Sequence, residues 1–303
     1  MKIVTLKRKI NTMLHTPRIF MKKFAASPVF KLLPDKLALK IQYKNTFLKP
    51  LNLKKPQTFN EKLQWLKLYN RKPEYSKMVD KYEAKKYVAS IIGEEYIIPT
   101  YGVYDSFDEI DFDELPNQFV LKCTHGSGDV VICKDKANLD IEAARQKLTK
   151  SLKTNYYKIS REWPYKSVKP RIIAEKFLVD SSGDIKDYKI FCFNGKAKMM
   201  LIASDRFTAV EPRFDYFDNS FNYLDFDWTH PRSTERIPEK PINFETMLKL
   251  AEELSSNMIH LRVDFYETGN MVYFGELTFF HAGGFTPFTP DEWDYTIGQW
   301  IHL

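Results

Sequence analysis

Apolar residues recur along this chain at two periods, and each period predicts its own elements. Three- and four-residue spacing marks helices. TFNEKLQWLKLYNR, residues 58–71, opens with a capping box from Thr58 to Glu61 and runs as an amphipathic helix that Lys72-Pro73 ends. VDKYEAKKYVAS, 79–90, predicts a second helix, closed by Gly93, and residues 138–153 and 244–259 predict two more. Two-residue alternation and short apolar runs mark strands: FVLKC at 119–123 and IIAEKFL at 172–178, the latter bounded by Ser181-Ser182-Gly183. DYKIFCFNGKAKMMLIAS, 187–204, reads as strand, Asn194-Gly195 turn and strand. LRVDFYETGNMVYFGELTF, 261–279, reads as another hairpin, and the chain ends with a Gly-Gly loop and a short helix after Pro290. Hairpins mixed with helices predict an α+β architecture.

The 261–279 hairpin carries polar residues inside an apolar pattern. Side chains alternate faces along a strand, so Arg262 and Asp264 share one face, as do Glu276 and Thr278. Whether the two pairs share the same face depends on the loop. A three-residue loop, Thr268 to Asn270, sets Arg262 opposite Glu276 and Asp264 opposite Phe274, with all four polar side chains on one surface. A two-residue loop puts the pairs on opposite faces. Two carboxylates with guanidinium and hydroxyl neighbours suit Mg²⁺ bound to nucleotide phosphates, and an exposed Arg262–Glu276 salt bridge is the alternative.

Composition changes the picture at the N-terminus. The 303 residues, 44% of them hydrophobic, are enough for one large or two modest domains with a substantial core. The net charge of +7 is unevenly spread: residues 1–55 hold fourteen Lys or Arg and the single acid Asp35, a charge of +13 that leaves −6 for the rest. Ile3, Leu6, Ile10, Met13 and Leu14 recur near helical spacing among Lys7, Arg8 and Lys9, and the apolar residues from Phe20 to Leu33 are interleaved with Lys22, Lys23 and Lys31. A basic amphipathic segment fits an anionic membrane surface or an acidic glycan. It also fits a solvated helix docked on the body, and no nucleic-acid signature accompanies the charge. No apolar run is long enough to span a membrane, and no signal peptide is evident. Cys123, Cys133 and Cys192 sit in strand contexts without metal-ligand spacing and are expected to be reduced core residues of a cytosolic protein.

The stretch FVLKCTHGSGDVVIC, 119–133, holds the strongest chemical signal. Two strand-like runs flank a loop with Gly126 and Gly128, and Lys122 lies inside the first run. The P-loop pattern is absent, and a strand follows the glycines. The stretch reads as a hairpin lid over a phosphate, with Lys122 on that phosphate. His281-Ala282-Gly283-Gly284 follows the acidic hairpin and could cradle a second anion, although a lone His281 is more often structural. Asp111-Phe112-Asp113 and Asp225-Phe226-Asp227 both spell D-x-D, a pattern of sugar-nucleotide transferases that is common by chance.

Taken in order, these segments resemble the TupA-like branch of the ATP-grasp superfamily over roughly residues 55–300. The resemblance rests on TFNEKLQWLKLY, VDKYEAKKYV with Asp80, Lys81 and Lys85, IIPTYGVY, FVLKCTHGSGD, IIAEKFL, DYKIFCFNGK and RVDFY…FGELT. It implies two α+β lobes clamping a nucleotide behind a basic helical segment: 1–55 the basic segment, 56–116 a lead-in, 117–180 the small lobe and 181–303 the large lobe. It implies that Lys81 and Lys122 contact the nucleotide and that Gly126, Ser127 and Gly128 cover its phosphates. Glu175, Lys176, Phe177 and Leu178 would read adenine, with the Glu175 carboxylate accepting from the exocyclic amine, and Asp187 would lie near ribose or phosphate. Asp264 and Glu276 would hold Mg²⁺, with Thr278 where the superfamily usually has Asn. Arg262, Lys189 and His281 would serve the chemistry. The implied activity is that of an ATP- and Mg²⁺-dependent carboxylate–amine ligase. The family's setting among cell-surface polysaccharide genes points to a uronic-acid carboxylate on a glycan or its precursor, amidated by an amino acid or other amine. The implied location is cytoplasmic, peripheral at the inner face of the membrane. A glycosyltransferase using a sugar nucleotide is the alternative.

Overall fold

The computed structural model describes residues 28–179, 185–205, 211–233 and 237–303. The amphipathic pattern expected over residues 3–24 and the Ser181-Ser182-Gly183 boundary lie outside the described residues.

Two antiparallel sheets define the architecture. The smaller is formed by β1 (Thr100–Tyr104), β2 (Phe119–Cys123), β3 (Val131–Cys133) and β4 (Ile172–Lys176), in the order β1-β4-β2-β3. Helix α5 (Ile141–Leu152) covers it through Ala144 and Leu148, which pack with Phe119, Leu121 and Ile172. The sheet thus takes its edge strand β1 from the stretch expected to be lead-in, because Thr100–Tyr104 pairs with β4.

The larger sheet contains β5 (Asp187–Phe193), β6 (Lys196–Ser204), β7 (Arg213–Asp218), β8 (Tyr223–Leu224), β10 (His260–Thr268) and β11 (Met271–Thr278), in the order β11-β10-β5-β6-β7-β8. A two-stranded ladder joins β9 (Asp227–Trp228) to β12 (Phe288–Thr289). The Asn194-Gly195 turn forms as expected, with positive φ at both residues (50° and 76°). Helices α2 (Phe59–Tyr69), α3 (Tyr75–Val79), α4 (Glu83–Ile92) and α6 (Phe244–Ser255) bury their apolar stripes in this lobe's core. The terminal helix α7 (Glu292–Gln299) packs on α2. At the start of α2 the Thr58 hydroxyl accepts from the Glu61 N–H at 3.2 Å, and the Glu61 carboxylate accepts from the Thr58 N–H at 3.3 Å, completing the expected box.

Three local expectations change. The helix expected over 79–90 is broken, and α4 begins only at Glu83. Asp80 Oδ1 accepts from the backbone N–H groups of Tyr82 (2.9 Å) and Glu83 (3.3 Å), while Arg171 holds Oδ2 at 2.8 Å. A side chain that captures backbone donors competes with the helix, so Asp80 makes a turn. The second change is in the β10–β11 hairpin. Thr268 pairs with Met271, so the loop has two residues, yet the acidic residues are not on opposite faces. A β-bulge between Asp264 and Phe265 leaves Gly275 as the extra residue and brings Glu276 opposite Asp264 and Thr278 opposite Arg262. The expected partners, Glu276 for Arg262 and Phe274 for Asp264, are therefore corrected by two residues, to Thr278 and Glu276, and an even shift keeps the shared face. A Cβ at position 275 would lie 3.2 Å from the Asp264 carbonyl oxygen, which suits glycine to this bulge.

The third concerns the described part of the basic segment, where the docked alternative is the one present. In α1 (Asp35–Phe47), Ala38, Leu39 and Tyr43 are fully buried. Asp35 accepts from Arg71 (2.7 Å) and the Tyr157 hydroxyl (2.6 Å), and Arg161 Nη2 donates to the Phe30 carbonyl at 2.6 Å.

Candidate functional site

A cleft of about 900 Å³ lies where the two sheets meet. Lys81, Lys122, Ser127 and Gly128 line it from one side, and Asp187, Lys189, Asp264 and Glu276 from the other. Each side chain is placed by its strand. Lys122 lies in the buried strand β2 and Glu175 beside it in β4, two neighbours in the same sheet. Glu175 is buried, and its two oxygens take Lys122 at 2.5 Å and Lys85 at 2.6 Å. Burial pushes the Glu175 carboxyl up, but the ammoniums of Lys122 and Lys85 outweigh it and hold it below the usual carboxylate range. In the structure the Glu175 side chain clamps two lysines, Lys85 and Lys122, one on each oxygen. Lys176 is exposed, Phe177 half-buried and Leu178 buried at the end of β4, and the lining of the cleft includes none of Glu175, Lys176, Phe177 and Leu178.

The glycine loop is anchored at its base and open at its tip. Asp129 Oδ2 accepts from the Ser151 hydroxyl (2.6 Å) and the Cys123 N–H (3.2 Å). Lys81 donates its backbone N–H to the Thr124 carbonyl at 3.0 Å, and its ammonium bonds the Gly126 carbonyl. Ser127 and Gly128 are exposed, and Gly128 has φ +86°, a conformation that favours glycine. Lys81 thus ties the turn at Asp80 to the loop, and its ammonium lies 3.9 Å from Glu276 Oε2.

Across the cleft, charges alternate on one face. Lys189 in β5 bonds Asp187 at 2.5 Å and also Asp264. Arg262 holds Asp264 with two N–H groups, both at 2.7 Å, and Glu276 at 2.8 Å. Thr278 Oγ1 donates to Glu276 Oε1 at 3.3 Å. Burial pushes the Asp264 carboxyl up against the pull of Arg262 and Lys189. Glu276 is one-third exposed on the cleft. Burial raises its carboxyl too, but Lys81, Arg262 and Lys189 prevail and hold it at about 2. His281 accepts from Arg262 Nη1 through Nδ1, and burial followed by the Arg262 charge keeps the ring well below the ordinary histidine range. A neutral imidazole that orients Arg262 is what this position supplies.

The donor set suits a hard divalent ion with phosphate. Asp264 and Glu276 stand opposite each other, a hydroxyl lies beside them, and one Glu276 oxygen faces the cleft. Among the described residues no group of three or more His, Cys, Asp or Glu could hold a metal.

The Gly-Gly turn does not form the expected anion cradle. The Gly283 N–H donates to the Phe280 carbonyl at 2.9 Å, and the Gly283 carbonyl accepts from the buried Lys67 at 2.6 Å. The turn clamps α2. The three cysteines are free and buried, as expected. Neither D-x-D stretch reaches the lining of the cleft: Asp111 caps its own turn by accepting the Asp113 N–H, and Asp225 pairs with Arg232.

Two residues that sequence reasoning left without a role stand out. Lys85 was visible only as a lysine one turn beyond Lys81, and pairing with Glu175 gives it one. Glu162 lies in an irregular stretch with no periodic signal, and it lines a second cavity of about 610 Å³ that shares Ser127 and Glu276 with the first.

Lys122→Ala should weaken ATP binding by about 1.5–3 kcal/mol, the worth of a hydrogen bond to a charged group. Lys85 should meanwhile keep Glu175 compensated and the fold intact. Calorimetric titration with ATP·Mg²⁺ checks this, and an unchanged affinity would remove Lys122 from the site.

No curated protein matches the chain. Solved structures similar to it include an L-amino acid ligase from Bacillus licheniformis (12% identity, 85% of this chain and 56% of that one, TM-score 0.45). Others are D-alanine–D-alanine ligases from Bacillus anthracis, in complex with ATP (18%, 66% and 53%, 0.37), and from Helicobacter pylori (17%, 72% and 61%, 0.36). The chain spans just over half the length of these proteins. The model of the TupA-like ATP-grasp family matches residues 61–302, from the first turn of α2 to the penultimate residue, and the chain belongs to that family.

Proposed function

We propose that the chain is an ATP- and Mg²⁺-dependent carboxylate–amine ligase acting on a uronic-acid carboxylate of a surface glycan or its precursor. The observation that carries this reading is the convergence of Lys81, Lys122 and Lys189 with Asp264 and Glu276 on one cleft under a glycine loop, with Arg262 bonded to both carboxylates from the adjoining cavity. Lys81 and Lys122 bind the nucleotide phosphates from the small-lobe side. The open tip, Ser127-Gly128, offers backbone N–H groups to the terminal phosphate. Asp264 and Glu276 would hold Mg²⁺, which neutralises phosphate charge when bound. Arg262 and Lys189, fixed by their carboxylates, face the transferring phosphoryl group, where positioning and electrostatics supply most of the catalysis. The carboxylate attacks the γ-phosphorus, ADP leaves, and an amine converts the acyl phosphate to an amide. The four-part division at 55, 116 and 180 suits this reading once β1 is counted with the small lobe.

The test is ADP release from ATP·Mg²⁺ over a panel of uronic acids and amines, with mass spectrometry of the product. Turnover that needs both a carboxylate and an amine supports the ligase. Consumption of a sugar nucleotide in place of ATP supports the glycosyltransferase, which the remote D-x-D stretches do not favour.

The N-terminal charge suits a cytoplasmic protein at an anionic inner leaflet or on an acidic glycan. Residues 1–27 contain seven Lys or Arg and no acid. A basic residue near an anionic bilayer contributes about 1 kcal/mol, screened within about 10 Å at 0.1 M salt. Deleting residues 1–27 should therefore abolish salt-sensitive co-sedimentation with phosphatidylserine vesicles while sparing ATP binding. Equal sedimentation of both proteins at low and high salt would contradict a membrane role. The deletion stops short of α1, because Tyr43 and Leu39 belong to the core.

A further inference from the structure

The second cavity holds a buried carboxylate without a direct counter-charge. Glu162 is 6% exposed and lines this cavity beside Arg262, Glu276 and Tyr165. Its nearby cations are Lys67 and Arg262, and among the described residues neither forms an ion pair with it within 4.0 Å. Both are engaged elsewhere. Lys67 donates to the carbonyls of Ser160 (2.8 Å) and Gly283 (2.6 Å), and Arg262 holds Asp264 and Glu276. Burying a carboxylate away from water is costly unless a cation or donors meet it. A cavity of about 610 Å³ opens in front of this one, so its missing partner can arrive as part of a ligand.

If the ligase reading above is right, one substrate has the matching charge. A primary amine reaches the enzyme as an ammonium and must lose a proton before it can attack. We propose that the second cavity seats the amine co-substrate as its ammonium against Glu162, and that the Glu162 carboxylate takes the proton released there. The location fits the order of events. Glu276 and Ser127 belong to both cavities, so an amine at Glu162 lies next to the phosphate end of the nucleotide cleft, where the acyl phosphate forms. An N–H bond of the ammonium breaks and its proton passes to Glu162. The freed lone pair forms the C–N bond, and the C–O bond to phosphate breaks with its electron pair. Inorganic phosphate leaves, and the second nitrogen proton passes to it. Burial pushes the Glu162 carboxyl up against the pull of Lys67, which suits a group that must accept a proton. The far wall carries Gln42, Asn45 and Thr46 of α1, which precedes the family-matched residues 61–302. The rest of the amine therefore meets the amide and hydroxyl side chains of α1.

The experiment uses the full chain with ATP·Mg²⁺ and glucuronate or galacturonate. The standard L-amino acids and simple alkylamines compete in it with hydroxylamine, a nucleophile already neutral at pH 7. Glu162→Gln is expected to lower the ratio of amide to hydroxamate by about 10²-fold, the lower range for general-base catalysis. Glu162→Asp, which keeps the charge, is expected to restore part of that ratio and to raise the KM of the amine more than that of the uronic acid. Melting temperature and ATP affinity show that each variant is folded. Equal loss of amide and hydroxamate in a folded Glu162→Gln protein, or an unchanged ratio, overturns the proposal and leaves the ligase reading standing. Wild-type protein that yields neither ADP nor hydroxamate from these carboxylates overturns both.

Discussion

Replacing Asp264 by Asn is expected to abolish ADP release and to cost the fold measurably, whereas Glu276→Gln should abolish ADP release alone. The difference follows from burial. Asp264 is 1% exposed and is bonded by both Arg262 and Lys189. Removing its charge leaves two buried cations short of a partner, and breaking a buried pair typically costs about 3–5 kcal/mol. Glu276 is one-third exposed on the cleft, so water replaces much of what its charge supplies to the fold. Both variants remove a carboxylate that would hold Mg²⁺ against the phosphates, and loss of one electrostatic stabiliser of the transition state typically costs about 10²–10³ in kcat. Urea denaturation and ADP release, measured together on the two variants, separate the effects. Near-wild-type turnover in either variant at saturating Mg²⁺ would remove that residue from the metal site.

The second large effect is expected at Glu175. Glu175→Gln strips the shared counter-charge from Lys85 and Lys122, both under 10% exposed, and should destabilise the protein by about 3–5 kcal/mol. Its pH dependence has a definite sign. A carboxyl held below its ordinary value in the folded state contributes stability that is fully present above the unfolded value, near 4.5. That contribution is lost as pH falls from there through the folded value. The gap between wild type and Glu175→Gln should therefore be widest near neutrality and close progressively below pH 4.5. A gap that stays constant from pH 7 to pH 3 would mean that the charge of Glu175 is not what matters.

Much of this arrangement was legible before the structure, for local reasons. The capping box at Thr58 and the Asn194-Gly195 turn depend only on neighbouring residues, and both form where the pattern puts them. Lys122 stands out in its apolar strand because a buried ammonium needs a partner, and the partner in the structure, Glu175, comes from the neighbouring strand. What escaped was set by contacts between distant segments. The hairpin at 261–279 allowed two registers, and the answer was a third: a two-residue loop corrected by a bulge at Gly275. Nothing local requires that bulge, since the glycine could equally have weakened an ordinary strand. Asp80 broke a helix because Arg171, far along the chain, fixes its other oxygen. The pairing of Glu175 with Lys85 and Lys122 joins three separate segments and has no local signal. Glu162 had no pattern to mark it, and only the cavity in front of it gives it meaning.

Carboxylate activation is tested most directly by isotope transfer. A uronic acid labelled with oxygen-18 in its carboxylate is incubated with the full chain, ATP·Mg²⁺ and the amine, and the inorganic phosphate is examined by mass spectrometry. Attack of the carboxylate on the γ-phosphorus, followed by displacement at the acyl carbon, predicts one labelled oxygen in each phosphate released and ADP as the only nucleotide product. Amide formed with unlabelled inorganic phosphate would contradict the account at its centre.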